Sequence, residues 1–199
     1  MRYLFLLITH CFALGLDLKG VNDLDDWTIL QDGPIMVGWQ EFQGYPISKA
    51  ETILEYDMLS IAELIKNLEH YPNIFKRVTD TKQLESDIVQ IILDMPFPFS
   101  GRDYVVKYAI EQKDNQWVFS FYSVNHPKGI LNDKYVRLPN AAGVWILDQS
   151  SLNKTMVTYA WNGELLGNFP DFGLKKAWIT QGTEVLTWLN EALSIKVKS

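Results

Sequence analysis

A chain of 199 residues with 47% apolar and 13% aromatic content is long enough for one domain with a sizeable core, and too apolar to be disordered. A net charge of -6 without a basic stripe excludes a general grip on nucleic acid phosphates. A single cysteine, Cys11, excludes an internal disulfide and a cysteine-based metal site.

Residues 1–16 have the pattern of an export signal: Arg2 supplies a positive start, residues 3–13 are nearly all apolar, and Ala13-Leu14-Gly15 offers small residues for cleavage. The expectation is one folded domain over 17–199 in a periplasmic or secreted protein; the alternative is a buried first element of a cytoplasmic domain. Residues 17–32 are polar and acidic, with Trp27, Ile29 and Leu30 as the first core anchors, and Gly33-Pro34 punctuates them. Two strand-like runs follow, 35–42 and 47–58, around the turn signal Gly44-Tyr45-Pro46. Ser60 is placed to cap a helix over 60–70, with Glu63 as its capping-box partner. Ile61, Leu64, Ile65 and Leu68 form the apolar face of that helix, and Tyr71-Pro72-Asn73 ends it.

The hydrophobic period then changes to two. Strands are expected over 75–79 and 87–93 about a polar turn at 81–86, then over 104–111, 117–124, 135–147 with a bend at 139–143, and 154–161. Between the second and third of these lies the loop 95–101, where Pro96 and Pro98 fix the backbone and forbid strand pairing while carrying Met95, Phe97 and Phe99. Its rings either fold back onto the core, cover an apolar pocket as a lid, or dip into a membrane. A second apolar loop spans 163–170, and Asp171 is placed to cap a final helix over 172–193. Leu174, Ala177, Trp178, Gln181, Val185, Trp188, Leu189 and Ala192 recur three or four apart along it. A long helix after a run of antiparallel strands packs across the curved sheet, an α+β helix-grip fold.

Alternation assigns the faces. With Lys107 and Glu111 toward water, Tyr104, Val106, Tyr108 and Ile110 face the helix, and Trp117, Phe119 and Phe121 share one face of the next strand. Together with Trp178 and Val185 of the helix, these are either ordinary core or the lining of a ligand space. Arg102-Asp103 reads as structural, with Arg102 bonding loop carbonyls or a carboxylate at the base of the lid. His70 and His126 sit beside prolines as solvated turn residues. No acid/base pair, nucleophile elbow or phosphate-cradling glycine loop is present, so no catalytic residue, metal ligand or cofactor is expected.

The segment Met95-Pro-Phe-Pro-Phe-Ser-Gly-Arg102-Asp103-Tyr104-Val105 resembles the Pro-aromatic-Pro and Arg-Asp-aromatic-Val pattern of the START domains, the lipid-transfer domains related to the steroidogenic acute regulatory protein. Val136-Arg137-Leu138 leading to Gly143-Val-Trp145, then Lys154-Thr155-Met-Val-Thr158-Tyr159, and Gly167-Asn-Phe-Pro170 extend the resemblance in order and spacing over 27–193. The resemblance implies a sheet wrapped round the carboxy-terminal helix, with a tunnel between them for one lipid or other hydrophobic molecule. It places the loops 95–101 and 163–171, with Met95, Phe97, Phe99, Phe169 and Phe172, at the tunnel mouth. The expected carrier is a monomer in transient contact with a membrane, with its oligomeric state left open by the sequence. In one respect the chain departs from sterol carriers of the family: where they place a tunnel arginine six residues after the Arg of Arg-Asp, it has Tyr108, with no acidic partner evident on 87–93. Two other outcomes are open. One is a helix-grip enzyme, a cyclase or hydrolase of a hydrophobic aromatic substrate, using a tunnel-facing Tyr or Asp. The other is a ligand-free module whose interior is filled by Trp145, Trp161, Trp178 and Trp188.

Overall fold

A computed structural model describes residues 16–196. The expected export signal therefore lies outside the described residues except for Leu16, which is buried. In chain order the elements are β1 (Thr28–Gln31), β2 (Met36–Phe42), β3 (Tyr45–Leu54), α1 (Met58–Lys66), α2 (Tyr71–Ile74), β4 (Val78–Glu85), β5 (Ile88–Leu93), β6 (Gly101–Lys113), β7 (Gln116–Ser123), β8 (Tyr135–Arg137), β9 (Ala142–Ser151), β10 (Lys154–Asn162) and α3 (Leu174–Lys196). The strands form one sheet in the order β1-β2-β3-β10-β9-β7-β6-β5-β4, antiparallel throughout. β8 lies off this path and pairs in parallel with residues 101–103 of β6, beyond the end of β7. The helix-grip expectation is met: the three helices cover the concave face of a long curved sheet, and α3 lies against β1, β2 and β3. Among the described residues no helix is long and apolar enough to cross a membrane.

β9 explains why both faces of the sheet centre are apolar. Trp145 and Leu147 point into the main core with Phe119, Val157, Tyr159, Trp161 and the inner residues of α1 and α3. Val144 and Ile146 point the other way, into a second cluster with Ile47, Ala142 and Ala160, which Leu16, Leu18 and Val21 cover. The amino-terminal segment thus hides the middle of the convex face, where alternation alone would have exposed apolar side chains.

Several expected boundaries move. Asp57, not Ser60, caps α1: its carboxylate accepts from the Ser60 N–H at 2.9 Å and from the Ser60 hydroxyl at 2.7 Å. Tyr71-Pro72-Asn73 does not stop a helix but starts α2, with Pro72 in the first turn where its missing N–H is harmless. The expected strand over 75–79 is β4, and the polar turn expected at 81–86 is mostly β4 itself, with a turn of only Ser86 and Asp87. β4 is an edge strand, and its polar side chains are what an edge requires. The strand expected over 135–147 divides into β8 and β9, and α3 starts at Leu174 after a 3-10 turn, with no side-chain cap from Asp171. Ile29, expected as an anchor, is exposed on β1, and Ile110 is 45% exposed because β6 runs past the layer that covers Tyr104 and Tyr108.

α3 rests very close to the sheet at one point. A Cβ at Gly182 would lie 2.8 Å from Cβ of Ala50, so only glycine lets the helix sit on β3 at this depth. Trp178, Gly182, Leu186, Leu189 and Leu193 form its buried stripe, displaced by about one position from the expected one.

Candidate functional site

Between the inner face of the sheet and α3 lies a cavity of about 540 Å³, bordered mostly by aromatic and aliphatic side chains. α3 turns two faces inward. The stripe through Trp178 and Leu186 packs on the sheet, whereas Ala177, Gln181 and Val185, a quarter-turn away, border the cavity. The opposite wall is built by period two: Tyr104 and Tyr108 of β6, Phe121 of β7, Trp145 of β9, and Tyr159 and Trp161 of β10. Tyr71 and Phe75, from α2 and the residue after it, complete the inner end. Register holds the rings together: Tyr108 pairs with Phe121 at 5.2 Å between ring centres, and Trp145 pairs with Tyr159 at 4.3 Å. Phe121 stands over Gly143, where a Cβ would meet its ring at 2.2 Å.

The mouth is made by two loops and the start of α3. Met95, Phe99, Phe169 and Phe172 border the opening, and Phe99 packs on Phe169 at 4.7 Å. Phe97 instead points outward and is 97% exposed, so it does not fold back onto the core; Phe172 is 93% exposed at the rim. Arg102, with only 1% of its surface exposed, joins the two loops. Its guanidinium donates to the carbonyl oxygens of Ser100, Leu165 and Leu166. Burial lowers its pKa without any carboxylate to offset it. Asp103 points to the other face of β6, where Arg137 grips its carboxylate at 2.8 and 2.6 Å and Gln90 donates at 2.8 Å. The expected structural pair is therefore two separate devices, a latch on the loops and a pin between β6, β8 and β5.

The charges bordering the cavity are engaged or gathered at its open end. Arg77 holds Glu184 of α3 in a two-point ion pair. Glu164 accepts from the amides of Asn140 and Asn162 at 3.3 and 3.2 Å, beside the loop that Arg102 latches. Four phenols also border the space: burial pushes Tyr71, Tyr104 and Tyr108 well above the ordinary value, and Tyr159 up to about 12.

Of the side chains expected to touch a ligand, Tyr104, Tyr108, Phe121 and Val185 border the cavity, and Val106, Trp117, Phe119 and Trp178 do not. Val106 is fully buried between larger neighbours. Trp117 and Phe119 lie further along β7, where Lys66 at the end of α1 sits over the Trp117 ring. Trp178 turns toward β2: it packs on Trp39 at 5.2 Å and donates to the Gly163 carbonyl at 2.8 Å. Trp145 and Trp161 border the cavity without filling it, which removes the filled-interior alternative. His126 is not a solvated turn residue; its side chain is 8% exposed, bonded to Glu85 at 3.0 Å. Tyr159 and Trp161 carried a usable signal in the sequence, alternate aromatics on one strand. Tyr71 carried none, because its Pro neighbour read as a terminator.

No curated protein matches the chain. Among solved structures it is similar to a STAR-related lipid transfer protein fragment from Xanthomonas axonopodis, at 19% identity and a TM-score of 0.73, over 85% of this chain and 99% of that one. It is similar to human StAR-related lipid transfer protein 5 at 15% identity and a TM-score of 0.75, over 84% of this chain and 86% of that one. A weaker likeness joins it to the Zhui aromatase/cyclase from Streptomyces sp. R1128, at 10% identity and a TM-score of 0.56, over 76% of this chain and 94% of that one. At these identities the likenesses show a shared fold. A model of the START domain matches residues 21–186, nearly the whole described domain, and the chain belongs to the START domain family.

Proposed function

We propose that the chain is a carrier that holds one lipid or similarly hydrophobic molecule between its sheet and α3 and exchanges it at a membrane surface. The observation that carries this is the cavity itself: about 540 Å³ of space enclosed by aromatic and aliphatic walls, within the usual range for a small-molecule site. Burial of an acyl chain or ring system there yields about 0.8 kcal/mol per methylene, enough for retention without any covalent step. Family membership and the likeness to two lipid transfer proteins support the same reading. The exposed rings of Phe97 and Phe172, beside the opening, supply the membrane contact. An enzyme using a cavity tyrosine as a base is disfavoured, since phenols held above their ordinary value stay protonated near neutral pH. The apolar run at residues 3–13 supports export, to be checked by sequencing the amino terminus of the mature chain.

The cavity assignment is tested by filling it. Val185→Trp projects an indole from α3 into the space and is expected to abolish uptake of pyrene-labelled lipid from vesicles while the circular dichroism spectrum is kept. Undiminished uptake would place the ligand elsewhere.

A further inference from the structure

The loop over residues 124–134, between β7 and β8, takes no part in the cavity, yet it holds Ile130 69% exposed and Leu131 66% exposed. Its backbone is pinned to the outer face of the sheet. His126 is bonded to Glu85 of the edge strand, and a Cβ at Gly129 would meet Val105 of β6 at 2.6 Å. The Ile130 carbonyl accepts from Gln90 at 3.1 Å and from Arg137 at 3.4 Å, and the Tyr135 N–H donates to the Asn132 carbonyl at 2.9 Å. The two aliphatic side chains therefore project from a fixed backbone. β8 joins this loop to the mouth: Tyr135 stands against Gly101, where a Cβ would lie 2.8 Å from its ring, and Val136 stands 3.0 Å from a Cβ at Gly167. Gln90 precedes Leu93, the last residue of β5, by three positions, so Ile130 lies about 10 Å back from the mouth along the strand.

The charges beside this pair are unengaged, unlike those elsewhere on the surface. Lys19, Lys49, Lys76, Lys107, Lys154 and Lys196 are each held by a carboxylate. Lys128 and Lys134, which flank Ile130-Leu131, and Lys82, opposite Gln90 on β4, have no carboxylate at ion-pairing distance among the described residues. Asp80 and Asp133 are the nearby acids, and neither engages them; Glu85 is taken by His126. An aliphatic pair between free amines suits a bilayer interface, where the apolar groups enter the acyl region and the amines reach up to lipid phosphates. Resting on the carrier reading, we infer that residues 128–134 are a second membrane foot, fitted to a phospholipid bilayer. Because this foot lies behind the mouth on the outer face, the domain docks leaning on the β5–β6 side instead of standing upright on its mouth loops. Phe97 and Ile130-Leu131 enter the bilayer together, and Lys82, Lys128 and Lys134 meet its phosphates.

The test is co-sedimentation of the full chain with vesicles of phosphatidylcholine, alone and mixed with phosphatidylglycerol. Ile130→Ser/Leu131→Ser is compared with the native chain and with Leu152→Ser, which removes an exposed apolar side chain from the β9–β10 hairpin at the opposite end. The foot variant is expected to bind both vesicles about tenfold more weakly, and Leu152→Ser to bind as the native chain does. Lys128→Gln/Lys134→Gln is expected to lose most of the gain that phosphatidylglycerol gives. Nile red binding without vesicles, which reports the cavity, should be unchanged in all of them. Native-like vesicle binding by the foot variant overturns the inference and leaves the carrier standing. So does a native dimer in solution that the same variant converts to a monomer, since the pair would then be a self-interface. If the native chain binds no vesicle the foot fails, and Nile red and lipid uptake still decide separately whether the chain is a carrier.

Discussion

Arg102 shows how one side chain sets the geometry of a mouth made by two loops that are distant in sequence. It holds three carbonyls, one from the loop before β6 and two from the loop before α3. One of those carbonyls belongs to Leu166, whose φ of 51 lies in the left-handed region that a branched residue rarely adopts. The latch therefore holds the backbone where it would not rest alone. Lysine has neither the planar fork nor the reach to satisfy three acceptors. Arg102→Lys is expected to lower stability by about 3 kcal/mol in urea unfolding and to raise hydrogen exchange in residues 163–170, with the rest of the sheet still protected. Asp57 is the second residue whose role is specific. The Ser60 hydroxyl and backbone N–H hold its carboxyl below its ordinary value of 3.8. A depressed folded value means stabilisation that is complete above the unfolded value and lost as pH falls through the folded one. Asp57→Ala is expected to cost about 1 kcal/mol at pH 7, and the difference in melting temperature should vanish only as the pH falls through the depressed folded value, below the ordinary 3.8.

At the scale of elements, the separation between α3 and the sheet determines whether a cavity exists. Gly182 lets the helix touch β3 at Ala50, while the Ala177, Gln181 and Val185 side of the same helix faces open space. The helix is thus tilted on a pivot. Gly182→Leu would force it outward, with an expected cost of about 1 to 3 kcal/mol by thermal unfolding. The same change should weaken lipid uptake, because the wall moves with the pivot. The sequence showed the helix and its apolar side but not this division. Seven apolar positions and Gln181, three and four apart, look alike whether they meet a strand or a void, and Gly182 reads as a flaw in a helix until Ala50 is known to lie beneath it. β4 was hard to read for the opposite reason: an edge strand rich in Thr, Asp, Lys and Gln has the composition of a turn.

At the scale of the whole molecule, charge and apolarity are distributed about the cavity: exposed rings outside, a latched and charged rim, and aromatic walls that include four phenols. The outer part was legible early, since prolines between phenylalanines cannot pair as a strand and Arg-Asp at a strand start implied a structural clamp. The phenols were only half legible. Tyr104 and Tyr108 followed from alternation, whereas Tyr71 joins them through a helix that spacing did not reveal. Phe97 and Phe172 can be changed without touching the core, unlike Phe99, which packs on Phe169. The Phe97→Ser/Phe172→Ser variant is expected to slow lipid transfer between vesicles roughly tenfold or more with an unchanged melting temperature. An unchanged rate would remove these rings from the membrane contact. The most direct test of the carrier itself is native mass spectrometry of the chain purified from its own source, followed by organic extraction. One molecule of a hydrophobic compound per chain, lost in the Val185→Trp variant, is the expected result; a chain that is empty and also takes up no lipid from vesicles would contradict the account.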